Sequence, residues 1–191
     1  MKTKYISQKT NYDGSQLTPL YSYMNHNMHG DSIVAFEGAC HVSFEKMIDA
    51  EDLVAKAKIE SDSMLHFIVE IFQQNLMTAV SLQRLLVSIA EDILNSTSSV
   101  LKTKKLWREG DDLYLDKKEN ALKLTISIAS QSAVSCMIHL GINIKNEGTP
   151  VATCCLEDLK VNPKKFADVL MEEFSTEYKS IIEATQKVRP L

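Results

Sequence analysis

With 191 residues, 45% of them hydrophobic and 24% charged, the chain has enough material for one domain with a substantial core, or at most two small ones. Its 25 acidic residues outnumber its 21 basic ones, for a net charge of −4, and no Lys/Arg cluster is interleaved with aromatics, which argues against nucleic acid as a partner. No apolar run approaches the length of a membrane span, and the N-terminal MKTKYISQKTNYDGS lacks the apolar centre of a signal peptide.

The four cysteines, Cys40, Cys136, Cys154 and Cys155, contain no C-x-x-C pair, so neither a zinc ribbon nor a disulfide framework is indicated. Reduced thiols and a cytoplasmic location fit best. From Met1 to Gly30 the chain is polar and tyrosine-rich, with a turn at Tyr12-Asp13-Gly14-Ser15-Gln16. Tyr21, Tyr23 and Met24 suit a short strand or helix. His26 and His29 stand as His-x-x-His before Asp31, Cys40 and His41, but no regular frame orients them, and no metal site is read there.

The stretch Ser32 to Phe44 is β-rich and broken by Gly38, which predicts one strand around Ile33 to Phe36 and another around Cys40 to Phe44. A short helix with Asp49 as cap is expected between Met47 and Lys58. Next comes a strand from Met64 to Phe72 with two largely apolar faces, the mark of a central strand. Asp62, just before it, and His66, within it, are ligand-binding candidates. Their alternatives are a turn residue and a hydrogen-bonded core histidine. Thr78 to Leu94 reads as a helix whose apolar stripe is Val80, Leu82, Leu85, Leu86, Ile89, Ala90 and Ile93, with Gln83 and Arg84 on the other side. Val100 to Arg108 reads as a basic strand or loop.

The most densely patterned stretch runs from Leu106 to Ile144. Gly110-Asp111-Asp112 precedes a short strand, Leu113 to Leu115, and Asp116 to Asn120 reads as a turn. From Leu122 to Ile128 apolar residues alternate with Lys123, Thr125 and Ser127. In the strand that follows, Val134, Cys136, Ile138, Leu140, Ile142 and Ile144 share one face, and Ser135, Met137, His139, Gly141 and Asn143 share the other. A short polar link makes the two an antiparallel hairpin. Lys123, His139 and Asn143 would then share one side of a sheet, with Asp112 able to approach Lys123 around a ligand. A solvated lysine and aspartate are the plain alternative. After a short apolar piece, Val151 to Leu156, Asn162 and Pro163 start a long amphipathic helix carrying Phe166, Val169, Leu170, Phe174, Tyr178, Ile181 and Ile182, with Pro190 beyond its end.

The runs YDGSQL, GDSIVAF, SDSMLHFIVE, GDDLYLDKKENALKLTISIAS and SCMIHLGINIKNEGTP resemble the domain-of-unknown-function 366 family of archaea and bacteria over nearly the whole chain. A weaker resemblance is to biotin-protein ligases and lipoyl or octanoyl transferases. Asp111-Asp112 is similar to their acidic pair, Lys123 to their lysine, and Gly141-Ile142-Asn143-Ile144 to their later strand. That resemblance implies a class-II-synthetase-like fold, a lysine on an acyl carbonyl, and stabilisation of the oxyanion of acyl transfer. The transferases also place a cysteine nucleophile near where Cys154 and Cys155 stand. The Arg- and Gly-rich phosphate loop of the ligases has no counterpart here, since no arginine precedes Arg84.

The expected fold is therefore α+β: a mixed, mostly antiparallel sheet with two main helices packed on it, in a single domain over 1–191. The expected function is binding of a small organic ligand, in an acyl-group transfer enzyme or, alternatively, in a non-catalytic ligand-binding or dimerising module. Lys123 and His139 are the catalytic candidates, and Asp62, His66, Asp112 and Asn143 the ligand-binding ones. No cofactor is identified. The partners expected are a small molecule and, as a homodimer, a second copy of the chain, but neither nucleic acid nor membrane.

Overall fold

The computed structural model describes residues 1–116 and 118–189. Among these residues, eight strands are arranged in two sheets. In the five-stranded sheet, β1 (Lys2–Ile6), β2 (Ser32–Val42), β3 (Ile59–Phe72), β8 (Ser135–Asn143) and β7 (Thr125–Gln131) stand side by side in that order. Its pairings are antiparallel except for β1 with β2, so the sheet is mixed. A three-stranded sheet holds β4 (Trp107–Glu109), β5 (Asp112–Leu115) and β6 (Leu122–Lys123). The helices are α1 (Tyr21–His26), α2 (Ala50–Ala55), α3 (Leu76–Thr97) and α4 (Pro163–Gln186). The class is α+β. Among the described residues, no helix is long and apolar enough to cross a membrane.

Side chains alternate across a strand, so each strand of the large sheet serves two layers. Leu65, Phe67, Val69 and Ile71 of β3, with Cys136, Ile138, Leu140 and Ile142 of β8, join α3 and α4 in the main core. On the opposite face Val34, Phe36, Met64 and Ile68 form a second cluster with Tyr12, Met28 and Cys40. As the sequence suggests, β3 is central.

Caps follow the sequence signals. Asp49 accepts hydrogen bonds from the N–H groups of Glu51 and Asp52 at the start of α2, and Asn162, followed by Pro163, caps α4. The helix stripes largely match the expected ones, since Leu82, Leu86, Ala90 and Ile93 of α3 and Phe166, Leu170, Phe174 and Tyr178 of α4 are buried. In α4 the buried set includes Ala167 and Met171, while Val169 is exposed. In α3 Gln83 is buried, although it was expected on the outer side. The turn expected at Asp116 to Asn120 includes Lys117, and Pro190 was placed beyond α4. Both residues lie outside the described ones.

One strand was not anticipated, and two expectations about strands are corrected. Lys2–Ile6 is a strand, though the N-terminus is too polar to reveal it. It lies at the sheet edge, where lysines are tolerated because only one side pairs. First, Gly38 does not separate two strands, because β2 runs through it with a bulge between Gly38 and Cys40. The segment Thr10 to Tyr12 lies against this bulge. Thr10 N–H donates to Glu37 O at 2.9 Å, Tyr12 N–H to Ala39 O at 2.8 Å, and His41 N–H to Tyr12 O at 2.9 Å. A Cβ on Gly38 would stand 2.0 Å from Thr10 O. Gly38→Ala should therefore cost about 1–3 kcal/mol in urea unfolding, and a loss below about 0.5 kcal/mol would show that the segment yields freely.

Second, the alternation from Leu122 to Ile128 does not stay on one face. At Leu124 the chain leaves the small sheet and enters the large one, with Leu124 N–H donating to Leu113 O at 2.8 Å. Leu122 and Leu124 pack into the main core, whereas Ile126 packs on the opposite cluster. Ser127 is turned toward α3, where Gln83 Nε2 meets its hydroxyl at 2.6 Å. A change of sheet within an unbroken polar/apolar alternation leaves no trace in composition.

Candidate active-site pocket

A pocket of about 440 Å³ opens on the sheet face away from α3 and α4. Its walls are β8 and the start of β7, the turn around Gly14, the segment from Val42 to Glu60 with α2, and the loop from Thr149 to Thr153. Lys123, Asp112, His139 and Asn143 all line it, so four of the six residues singled out in the sequence meet there.

Lys123 is fixed through its backbone. Its N–H donates to Ala152 O at 3.1 Å, and its carbonyl accepts from Cys154 N–H at 3.2 Å and from Asn143 Nδ2 at 3.4 Å. Asn143 Oδ1 accepts from Ser61 Oγ at 3.3 Å. Asn143 therefore anchors the lysine's position while its own amide is largely occupied. From this frame Lys123 Nζ reaches Asp112 Oδ2 at 2.8 Å, with the two side chains 30% and 20% exposed.

Burial alone would lower the Lys123 pKa, but the carboxylate of Asp112, helped by Tyr114 and Asp52, outweighs it and holds the ammonium above its ordinary value. Asp112 is pushed up, first by burial and then by Asp111 and Asp52, against the pull of Lys123. The pair thus keeps a charged N–H donor in a recessed site with N–H groups to spare, since an ammonium has three.

His139 lies deeper. It is 2% exposed and stacks on Tyr12, with ring centroids 3.7 Å apart and planes 9° from parallel. Its Nε2 faces His66 Nδ1 at 3.1 Å, and His66 Nε2 faces Gly38 O at 3.3 Å. A carbonyl only accepts, so His66 must carry its proton on Nε2. His66 Nδ1 is then an acceptor, and His139 must donate from Nε2. This leaves His139 Nδ1 unprotonated. Burial lowers the pKa of both rings, that of His66 to about 4, and the neighbouring ring depresses His139 further. Both are neutral at physiological pH.

His66 and Asp62 are not pocket residues. His66 is fully buried one layer behind His139. Asp62 is exposed at the outer part of β3, where its N–H donates to Glu147 O at 3.0 Å and its carboxylate sits against Gly148. A Cβ on Gly148, which has φ of +71°, would come within 2.4 Å of Asp62 Oδ1, so the two residues shape the turn that carries the pocket loop.

Cys154 and Cys155 are buried, and burial raises both thiol pKa values, that of Cys154 to about 12. These thiols are held protonated, which suits packing rather than nucleophilic attack. Sequence reasoning missed Tyr12, Asp52 and Gln83. Tyr12 and Asp52 enter the pocket from segments far apart in the chain. Gln83 reaches Asp111 Oδ2 at 2.8 Å from α3, and Arg84 Nη2 lies 3.4 Å from Asp111 Oδ1. The nearest sequence signals were the Asp-Gly turn after Tyr12 and the Asp49 cap before Asp52.

A family model described as Domain of unknown function (DUF366) matches residues 1–189. The chain belongs to this family. A protein of unknown function from Pyrococcus horikoshii superposes on this DUF366 chain with a TM-score of 0.90 at 35% identity, covering 100% of this chain and 98% of that one. More distant neighbours share the fold alone. Biotin protein ligase from Aquifex aeolicus, in complex with biotin and ATP, gives a TM-score of 0.61 at 12% identity over 94% of this chain and 72% of that one. A bipartite lipoate protein ligase from Thermoplasma acidophilum gives 0.55 at 8% identity over 92% of this chain and 84% of that one. The DUF366 fold is thus biotin/lipoate-ligase-like.

Proposed function

We propose that the chain binds a small organic ligand in the pocket over the Lys123–Asp112 pair, with Lys123 donating to a carbonyl of that ligand, and that acyl-group transfer is the reaction served. One observation carries this reading: a lysine held charged by Asp112 at 2.8 Å lines a recess of about 440 Å³, within the ~300–1,000 Å³ of small-molecule sites. An ammonium at an acyl carbonyl stabilises negative charge developing on its oxygen. His139, with its free Nδ1 lone pair, is the proton acceptor in this reading, and Asn143 positions the lysine. His66 supports His139 from behind, while Asp62 is left to the turn. The ligase-like fold lends support. A single domain, a cytosolic setting suited to four buried free thiols, and a homodimer complete the proposal.

The second reading is a non-catalytic ligand-binding or dimerising module. It is favoured by the absence of arginine among the described lining residues, since bidentate guanidinium contacts are the usual grip on nucleotide phosphates.

The test is calorimetric titration with biotin, lipoate and their acyl derivatives, with and without ATP. Lys123→Ala should weaken binding by about 1.5–3 kcal/mol, roughly 10- to 150-fold. It should also destabilise the fold by about 1–2 kcal/mol, because Asp112 loses its counter-charge, and Lys123→Ala/Asp112→Asn should recover most of that stability without recovering binding. Unchanged affinity in a folded Lys123→Ala variant would remove the lysine from the site. Turnover of an acyl derivative separates the two readings.

A further inference from the structure

Among the described residues, the walls of the pocket carry six carboxylates, Asp49, Glu51, Asp52, Glu60, Asp111 and Asp112, against three ammonium groups, Lys46, Lys58 and Lys123. Most of these charges are already engaged. Lys46 pairs with Asp13, Lys58 lies 4.0 Å from Glu60, and Lys123 lies 2.8 Å from Asp112. Asp111 is held by Arg84 and Gln83, and Asp49 caps α2. Among the described residues no hydrogen bond or ion pair engages the carboxylates of Glu51 and Asp52. Glu51 is exposed, whereas Asp52 is half-buried, and Lys123 and Asp52 feel each other's charge.

Resting on the small-ligand reading above, we propose that the pocket selects the neutral, N–H-bearing end of its ligand, a carboxamide or acyl amide, over the corresponding free carboxylate. Lys123 donates to the carbonyl oxygen through an N–H not used by Asp112, and Asp52 accepts from the amide N–H. A free carboxylate would bring a further negative charge beside Asp112 and Asp52 and would offer Asp52 no donor. An amide adds no charge and satisfies both groups, because its carbonyl accepts and its nitrogen donates. The ligand class therefore differs from an acid awaiting activation. It is an acyl group already in amide linkage, as the substrate or product of amide-bond chemistry.

The experiment is calorimetry with matched pairs: lipoamide against lipoate, biotinamide against biotin, and octanamide against octanoate. For the pair that binds, the amide is expected to bind at least about 10-fold more tightly than the acid. In Asp52→Asn, which removes the charge but keeps the size, the ratio is expected to fall to within about 3-fold, chiefly through tighter binding of the acid. Tighter binding of the acid by the parent protein would overturn this inference and leave the small-ligand reading standing. A ratio unchanged in a folded Asp52→Asn variant would overturn it as well. Failure of both members of every pair to bind would overturn the small-ligand reading and this inference with it.

Discussion

Acidification from pH 7 to pH 4 should cost the fold about 3 kcal/mol through His66 alone. The ring is fully buried, and its pKa falls from the ordinary 6.5 to about 4. Between those values the unfolded chain binds a proton that the folded chain does not. Stability is therefore complete above pH 6.5 and is lost as pH falls toward 4. His139, pushed down by burial and by His66, acts in the same direction. The hydrogen-bond chain explains why the fold resists protonation. A proton on His66 Nδ1 would point at the N–H that His139 already donates, and a charge on His139 would lie buried beneath Tyr12. Asp52 and Asp112, whose pKa values are raised, work oppositely at the acid end, so the clean measurement is a difference. Urea unfolding from pH 7.5 to 4 should show a steep profile for the parent and a flatter one for His66→Gln, whose side chain can still donate to Gly38 O. Parallel profiles would mean that His66 titrates normally and that the neutral chain is wrong.

Phe174→Ala should cost about 3–5 kcal/mol of stability, the usual range for removing a buried aromatic ring. Phe174 is fully buried on α4, in the core that joins this helix to the sheet and to α3. Nearby, Phe166 of the same helix meets Phe67 of β3 edge-on at 6.4 Å. The pocket lies on the other side of the sheet, so ligand affinity in the folded variant should change less than twofold. A loss below about 1 kcal/mol in chemical denaturation would place the α4 face wrongly.

Much of the fold and part of the site were legible in the sequence, for identifiable reasons. A period of two placed His139 and Asn143 on one face of β8, because every residue there obeys the alternation, and both side chains do line the pocket. Lys123 reaches the same pocket by another route. It belongs to the small sheet, and the chain crosses between sheets at Leu124, so the shared polar face expected for the two strands exists only in part. His66 has the expected parity on β3 but lies behind His139, a matter of depth that periodicity cannot report. Asp62 has that parity too, at the exposed part of the strand. Tyr12, Asp52 and Gln83 were illegible because what recruits them is tertiary. The Gly38 bulge admits Tyr12, the α2 turn presents Asp52, and Asp111 draws in the side chain of Gln83.

The central claim is that ligand binds over Lys123 on the sheet face away from α3 and α4. Methyl-detected NMR during titration with lipoamide tests it most directly. Ile126, Ile128 and Met64 line that pocket, whereas Ile71 and Leu86 lie in the opposite core. The account predicts saturable shifts in the first three, almost none in the last two, and loss of those shifts in Lys123→Ala. Shifts centred instead on Leu85 and Ile89, in the groove between α3 and α4, or unaltered by Lys123→Ala, would contradict it.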